Sequence, residues 1–160
     1  MKILRNMMIL IAVAASFEAA ACKCDRAGTV EKGFEVADVV MTGTVLSSET
    51  VTFSYPEHTS SGMHTFMHYR LLVTGVYKGN IKADTVSVYT GTGTGDCGYP
   101  FKTDKRYIVY GYHTKDARKE NSPFPQDAHI VWTNTCTRTT LFERVEKEAI
   151  EKIAAKKIVK

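Results

Sequence analysis

Two cysteines that stand one residue apart, Cys22 and Cys24, are the residues with the clearest chemistry in this sequence. Such close spacing disfavours a bond between them, so each is expected to reach a distant partner, either Cys97 or Cys136. In an exported chain, four cysteines favour two disulfides over a metal site. A structural zinc site would prefer two to four residues between neighbouring cysteines. The spacing alone leaves open which distant cysteine bonds to which.

The first 21 residues have the pattern of a secretion signal. Two basic residues precede an apolar run at 7–17, and small residues at 19–21 form a cleavage site. The run is shorter than the roughly 20 residues of a membrane-spanning helix. We therefore expect export with removal of 1–21, leaving a secreted, extracellular or periplasmic chain. A lipid-anchored envelope protein is the alternative, although acylation of Cys22 would leave an odd number of cysteines.

Cleavage before Cys22 would give that residue a free α-amine. The reference pKa of an α-amine is about 8, so an appreciable fraction is neutral at physiological pH. The amine and the carbonyl oxygen of one residue form a five-membered chelate ring with a metal ion. Catalytic zinc in proteases has three protein ligands and an open position that normally holds water. A chain terminus held rigid by disulfides would be suited to displacing that water.

Other candidate residues give weaker signals. The glycine-rich segment 91–98 lacks the Lys-Ser/Thr pair of a phosphate-binding loop, and its glycines are expected to provide positive φ and close backbone approach. Asp96 is expected to be a buried turn residue that accepts backbone N–H bonds. Of the histidines at 58, 64 and 68, His64 and His68 share a strand face about 13 Å apart, too far for one metal ion. We expect surface histidines.

The bulk properties describe one small globular domain. The chain has 160 residues and a formal net charge of +4, with basic and acidic residues interspersed. This mild charge does not favour nucleic acid as a partner. Residues 22–160 contain no internal repeat or second domain, and no nucleophile signature is present. We expect a monomer that is not an enzyme and binds no cofactor.

The elements that must position these residues are mostly strands. Runs rich in Val, Thr and aromatic residues predict a long first pair of strands, with Gly43 as a bulge. A polar turn at 55–62 and a surface loop at 113–127 separate the strands. The predicted strands cover 38–53, 63–77, 85–90, 107–112 and 128–132.

Two helical patterns complete the fold prediction. Val30, Phe34 and Ala37 recur at helical spacing in a short helix. Residues 140–143 have the capping-box spacing, with Thr140 as the N-cap, and apolar residues then follow the helical period. The sequence predicts an all-β fold with helical additions, as a five-stranded oligonucleotide/oligosaccharide-binding (OB) barrel plus a C-terminal helix. The apolar helix positions are Val145, Ala149, Ile150, Ile153 and Ala154.

Several of these segments, in this order, resemble the N-terminal, netrin-like domain of the tissue inhibitors of metalloproteinases (TIMPs). They are the Cys-x-Cys after the leader, Gly-Phe-Glu-Val-Ala-Asp at 33–38, and 90–101 followed by Tyr-Ile-Val-Tyr at 107–110. The segment 95–101, Gly-Asp-Cys-Gly-Tyr-Pro-Phe, is similar to small bacterial members. The resemblance covers nearly the whole of 22–160.

This resemblance implies an OB barrel with Cys22 bonded to Cys97 and Cys24 bonded to Cys136. It also implies a secreted inhibitor of a zinc metalloendopeptidase, in which the amine and carbonyl oxygen of Cys22 bind the target's zinc. The next side chain, Lys23, would enter the target's specificity pocket, where an ammonium is costly to desolvate. The implied contact residues are Cys22, Lys23, Cys24, Asp25, Asp96 and Cys97.

The sequence departs from the animal pattern. Glu35 stands where a cysteine of a third disulfide would be expected, and the cysteine-rich second domain is missing. A non-inhibitory extracellular module that uses the same barrel to bind a glycan or a protein is therefore the alternative, because fold does not determine function.

Overall fold

A computed structural model describes residues 22, 28–54, 63–93, 95–113 and 130–158. These residues form one six-stranded sheet and two helices, which confirms the prediction of a mainly β fold with a C-terminal helix. The helices are α1 (Val30–Val36) and α2 (Arg144–Ile158). The strands are β1 (Val39–Ser54), β2 (Met63–Lys78), β3 (Thr85–Thr90), β4 (Arg106–Gly111), β5 (Ile130–Trp132) and β6 (Thr140–Leu141).

The strands lie in the order β5-β3-β2-β1-β4-β6. Neighbouring strands are antiparallel, except that β3 and β5 are parallel. Just beyond β4, Tyr112 forms a bridge with Trp132 of β5. Each residue donates its backbone N–H to the carbonyl oxygen of the other, at 3.0 and 2.9 Å. The bridge connects two strands that are separated in the sheet order.

Strand β1 pairs with β2 and with β4, and its pairing with β2 is irregular. Its pairing with β2 has three register shifts, and one lies between Thr42 and Gly43, where the sequence predicted a bulge. A side chain at Gly43 would stand 3.0 Å from the carbonyl oxygen of Leu72. Bulges bend a strand and increase its twist. The first part of β1 pairs with β4, while its whole length pairs with β2.

The sixth strand was not predicted. Thr140 pairs with Ile108 of β4, so the prediction that Thr140 caps the terminal helix is wrong. The backbone N–H of Phe142 still donates to β4, at the carbonyl oxygen of Arg106, 2.9 Å away. Helix α2 begins only at Arg144. The chain therefore stays extended through the predicted capping box because it is bonded to the sheet.

Side chains that alternate along β4 contribute to two of the three hydrophobic clusters in the described part of the chain. Tyr107 and Val109 of β4 belong to a cluster on one face, and Ile108 and Tyr110 belong to a cluster on the other. This alternation follows from the two-residue period of a strand, and it explains the continuous apolar run in β4. The helices cover the second face, where Phe34 of α1 and Ile150 of α2 are buried.

Helix α2 buries most of the face that the sequence predicted, but not Val145. Val145 is 79% exposed, whereas its neighbour Glu146 is only 9% exposed. Ile150 is buried, and Ile153 and Ala154 pack against the same cluster. The prediction for Val145 is wrong because Glu146 has a charged partner, described below, that draws it inward.

Several predicted features lie outside the described residues. They include the leader at 1–21, the turn at 55–62 and most of the loop at 113–127. Lys23, Cys24 and Asp25 also lie outside them. Among the described helices, none combines the length and the apolar character that a membrane crossing requires.

Candidate functional site

Cys22 is bonded to Cys97, with an S–S distance of 2.03 Å and a Cα–Cα distance of 5.5 Å. This is the pairing that the resemblance implies. The bond joins residues 75 positions apart and holds the half-buried Cys22 against the 91–98 loop. The bond limits how far the backbone of Cys22 can lie from that of Cys97. The position of Cys22 is therefore set by the structure of that loop.

The carboxylate of Asp96 organises the 91–98 loop. Its oxygens accept the backbone N–H groups of Thr92 at 2.6 Å, Gly93 at 2.7 Å and Gly98 at 3.3 Å. The hydroxyl of Thr92 also donates to Asp96, at 3.0 Å. The predicted role in accepting backbone N–H bonds is confirmed. The predicted burial is wrong, because Asp96 is exposed.

These hydrogen bonds change the acidity of Asp96. Partial burial raises the pKa of the carboxyl, but the bonds from Thr92, Gly93 and Gly98 together outweigh it, so the pKa lies below its ordinary value. Hydrogen bonds to the ionised form favour that form. At neutral pH the loop thus contains a carboxylate that is fully engaged with its own backbone.

The glycines of this loop have the predicted roles. Gly93 and Gly95 have φ values of +87° and +95°. A side chain on Gly98 would collide with the backbone of Gly91. Cys97 also has a positive φ, 60°, which is uncommon for a residue other than glycine. Its disulfide and its backbone contacts hold it in this conformation.

A second loop, residues 133–139, has the same type of organisation. The side-chain oxygen of Asn134 accepts the backbone N–H groups of Cys136 at 2.9 Å and Thr137 at 3.0 Å. Cys136 is disulfide-bonded; its predicted partner, Cys24, lies outside the described residues. Thr135 donates its backbone N–H and its hydroxyl to the carbonyl oxygen of Cys97, at 2.9 and 3.2 Å. The two cysteine-bearing loops therefore contact each other directly.

Threonines attach the 133–139 loop to β4. The hydroxyl oxygens of Thr133 and Thr139 lie 2.6 Å apart, and they lie 3.0 and 3.1 Å from the carbonyl oxygen of Tyr110. Each hydroxyl has one proton, so one of them donates to the carbonyl oxygen while the other can donate to its neighbouring hydroxyl. The backbone N–H of Tyr110 donates back to the Thr139 hydroxyl at 3.0 Å. Buried polar groups stabilise a fold only when they are paired, and these groups pair with one another. The base of the loop is thus fixed to the sheet.

A partly buried ion pair then connects this loop to α2. Arg138 donates from Nε and Nη2 to the two carboxylate oxygens of Glu146, at 2.9 and 3.0 Å. The hydroxyl of Tyr110 donates to Glu146 as well, at 2.8 Å. Burial, and next the bond to Glu146, raise the pKa of Tyr110 far above its ordinary value. Such bidentate pairs fix geometry as well as charge.

A cleft of about 410 Å³ lies beside these loops. Gly33 of α1, Tyr110 of β4 and Cys136 contribute to its walls. Within the part of the chain that the structure describes, no three His, Cys, Asp or Glu residues are grouped so as to hold a metal ion.

A polar group that the sequence did not reveal lies on three neighbouring strands. His68 of β2 contacts Glu49 of β1 through Nδ1, at 2.7 Å, and Ser87 of β3 through Nε2, at 3.0 Å. Its side chain is only 12% exposed. The prediction of a surface histidine is therefore wrong for His68, while His64 is exposed as expected. The pairing register of the strands brings these residues together, and that register was not predicted from the sequence.

The chain is thus a β-sheet domain whose two cysteine-bearing loops meet at Cys97 and Thr135. No protein-family model matches it, and neither does any curated protein sequence.

Proposed function

We propose that this protein is an exported, TIMP-like inhibitor that binds a zinc endopeptidase through a processed terminus at Cys22. The observation that carries the proposal is the tether between Cys22 and the 91–98 loop. That loop is fixed internally by Asp96 and externally by Thr135. A chelating group held in this way loses little entropy when it binds, and this pre-ordering favours affinity.

The strand connections support a closed, netrin-like OB barrel. Strand β1 pairs with both β2 and β4, and β3 pairs with both β2 and β5. The bridge between Tyr112 and Trp132 supplies the contact between β4 and β5 that a five-stranded ring needs. In this assignment β6 is an addition outside the ring. The barrel presents the two cysteine-bearing loops beside the terminus.

The proposed mechanism needs no chemistry from the inhibitor itself. Export removes 1–21 and exposes the α-amine of Cys22, whose neutral form has a lone pair for the target's zinc. The amine and the carbonyl oxygen of Cys22 would then chelate the target's zinc and displace the catalytic water. Without that water, the protease has no nucleophile for its substrate.

The residue that follows Cys22 in the sequence restricts the choice of target. Lys23 carries an ammonium group, and burying an unpaired charge in an apolar pocket is unfavourable. We therefore propose that the target has an acidic side chain in the pocket that accepts Lys23. A target with a wholly apolar pocket should be inhibited better by Lys23→Thr.

The test is titration of the mature protein, beginning at Cys22, against a panel of zinc endopeptidases with a fluorogenic peptide substrate. We expect inhibition of at least one enzyme at micromolar concentration or below. One alanine added before Cys22 should abolish it, because the added residue removes the chelating amine. Lys82→Thr, at an exposed position between β2 and β3, is the matched control for Lys23→Thr and should leave inhibition unchanged.

Intact mass and N-terminal sequencing of the exported protein test the first step separately. An acyl group on Cys22, or a residue before it, would contradict the proposal. Should the correctly processed protein slow no protease at micromolar concentration, the barrel is instead a non-inhibitory extracellular module for a glycan or a protein partner.

A further inference from the structure

The arrangement of Glu49, His68 and Ser87 is an ordered chain of hydrogen bonds across three strands. Glu49 and His68 are paired in the β1–β2 register, so their side chains share a face of the sheet. His68 is paired with Tyr89 of β3, and Ser87 precedes Tyr89 by two residues and so lies on that face too. The imidazole consequently has an acid on one side and a hydroxyl on the other.

The chemistry of the partners favours one tautomer of the neutral ring. An ionised carboxylate only accepts hydrogen bonds, so Nδ1 of His68 donates to Oε1 of Glu49 over 2.7 Å. The neutral imidazole then has an unprotonated Nε2, which accepts from the hydroxyl of Ser87 over 3.0 Å. Acid to Nδ1 and serine to Nε2 is the hydrogen-bond order of an activated serine nucleophile.

The ring is also held mechanically. It stacks on Tyr89 with the ring centres 4.5 Å apart and the planes inclined by 12°. The His68 side chain is 12% exposed and that of Glu49 is 64% exposed, so the base is shielded while the acid is reached by solvent. Ser87 is half-buried. Because the base is already positioned beside the serine, the reaction does not have to bear the entropy cost of bringing these two groups together.

We propose that Ser87 is an activated nucleophile that accepts acyl groups from small carboxylic esters. A bond forms between Oγ of Ser87 and the ester carbonyl carbon, and the hydroxyl proton moves to Nε2 of His68. The bond from that carbon to the alkoxide leaving group breaks, and His68 returns the proton to the alkoxide. The products are an acylated Ser87 and a free alcohol, and water attacks the acyl group by the same route in reverse.

A neighbouring cation favours this reaction. Arg70 is the cross-strand partner of Ser87 in the β2–β3 register, so it shares the face of the nucleophile. A guanidinium close to the reacting carbonyl lowers the energy of the negative charge that develops on its oxygen. It also attracts esters with an anionic acyl group. A positioned general base raises rates by about 10²–10⁴-fold, which is the enhancement expected for Ser87.

The proposed nucleophile, base and acid, at positions 87, 68 and 49, are different residues from those proposed for the inhibitor terminus. A failure of protease inhibition would leave this inference intact. A failure of serine labelling would likewise leave the inhibitor proposal intact.

The test uses the disulfide-bonded mature chain and a fluorophosphonate probe, which reacts with activated serines. Intact mass should show one adduct per chain, and peptide mapping should place it on Ser87. Ser87→Ala should lose at least nine-tenths of the labelling, and His68→Gln should slow it about 100-fold. Ser48→Ala is the matched control, because Ser48 is an exposed serine of β1 and should be irrelevant to labelling. Hydrolysis of p-nitrophenyl acetate should be lost in Ser87→Ala, slowed in His68→Gln and unchanged in Ser48→Ala, relative to the wild type.

Circular dichroism establishes that each variant is folded. If Ser87→Ala does not fold, Ser87→Cys takes its place, and its thiol should react with iodoacetamide at least tenfold faster than that of Ser48→Cys. Folded wild-type protein that gains no adduct at millimolar probe overturns the proposal. An adduct on another residue, or equal labelling rates in His68→Gln and the wild type, overturns it too.

Discussion

The backbone N–H of Thr135 donates to the carbonyl oxygen of Cys97 across 2.9 Å. This bond connects the loop that holds Cys22 with the loop that contains the second disulfide-bonded position, Cys136. Each loop is organised by one side chain, Asp96 or Asn134, that accepts two or more backbone N–H groups. A substitution that alters the structure of one loop should therefore alter the structure of the other.

Replacing Asp96 with Asn should destabilise the 91–98 loop. The amide retains one acceptor oxygen but directs an NH₂ group at backbone donors that now contact a carboxylate. We expect a loss of about 1–2 kcal/mol in the free energy of unfolding, as for lost hydrogen bonds at a partly exposed site. Urea unfolding measures it. Asp84→Asn, at an exposed position just before β3, is the control and should stay within about 0.5 kcal/mol.

The lowered pKa of Asp96 also predicts a dependence of stability on pH. Because the folded-state pKa lies below the ordinary value of 3.8, the carboxylate contributes its full stabilisation above the unfolded-state pKa. That contribution declines as the pH falls from about 3.8 through the folded-state pKa. Urea unfolding between pH 5 and pH 2 should show a steeper loss for the wild type than for Asp96→Asn. Parallel curves for the two proteins would contradict the prediction.

The sequence predicted the long elements because their patterns are local. The segment 85–90 coincides with β3, and the long runs of β-branched residues fall on β1 and β2. Asp96 was assigned its turn role for the same reason, since its partners lie within four residues. Strand β6 was not predicted, because two residues are too few to show the two-residue period of a strand. Its pairing also depends on contact with β4.

Contacts that depend on register were not accessible to sequence reasoning. Glu49, His68 and Ser87 come together only because strands β1 to β3 pair as they do, past three register shifts. The burial of Glu146 likewise depends on its ion pair with Arg138, which lies outside α2 in the 133–139 loop. The helical pattern of α2 alone does not show that pair. The helical period of apolar residues predicted that Val145 is buried, because that pattern takes no account of charged residues that are buried as pairs.

Glu146→Ala should be strongly destabilising. It leaves the guanidinium of Arg138 and the buried hydroxyl of Tyr110 without their shared acceptor. Breaking a largely buried pair from one side costs about 3 kcal/mol. Glu148→Ala, at an exposed position of the same helix, should change the free energy of unfolding by less than about 0.5 kcal/mol. Similar midpoints for both variants in thermal unfolding would show that the pair contributes little.

Gly98→Ala should disrupt the 91–98 loop, because the added methyl group would overlap the backbone of Gly91. Relaxation is limited because the backbone N–H groups of Gly98 and of Thr92, which follows Gly91, both donate to Asp96. We expect a loss of at least about 2 kcal/mol, together with weaker protease inhibition. Gly28→Ala is the control, since nothing lies within 4 Å of the added atom. Equal stability of the two variants in urea would mean that the loop relaxes without strain.

The double variant Cys22→Ser with Cys97→Ser separates the tether from the chelating atoms. It retains the α-amine and the carbonyl oxygen of residue 22, but it removes a covalent link across 75 positions. The chain-entropy model gives a loss of about 4 kcal/mol in the free energy of unfolding. At temperatures where the variant remains folded by circular dichroism, we expect its inhibition constant to rise at least 100-fold, because the terminus must then be ordered during binding. A folded variant that inhibits as tightly as the wild type would show that the amine acts without the disulfide, and that the rigidity of Cys22 is not the basis of affinity.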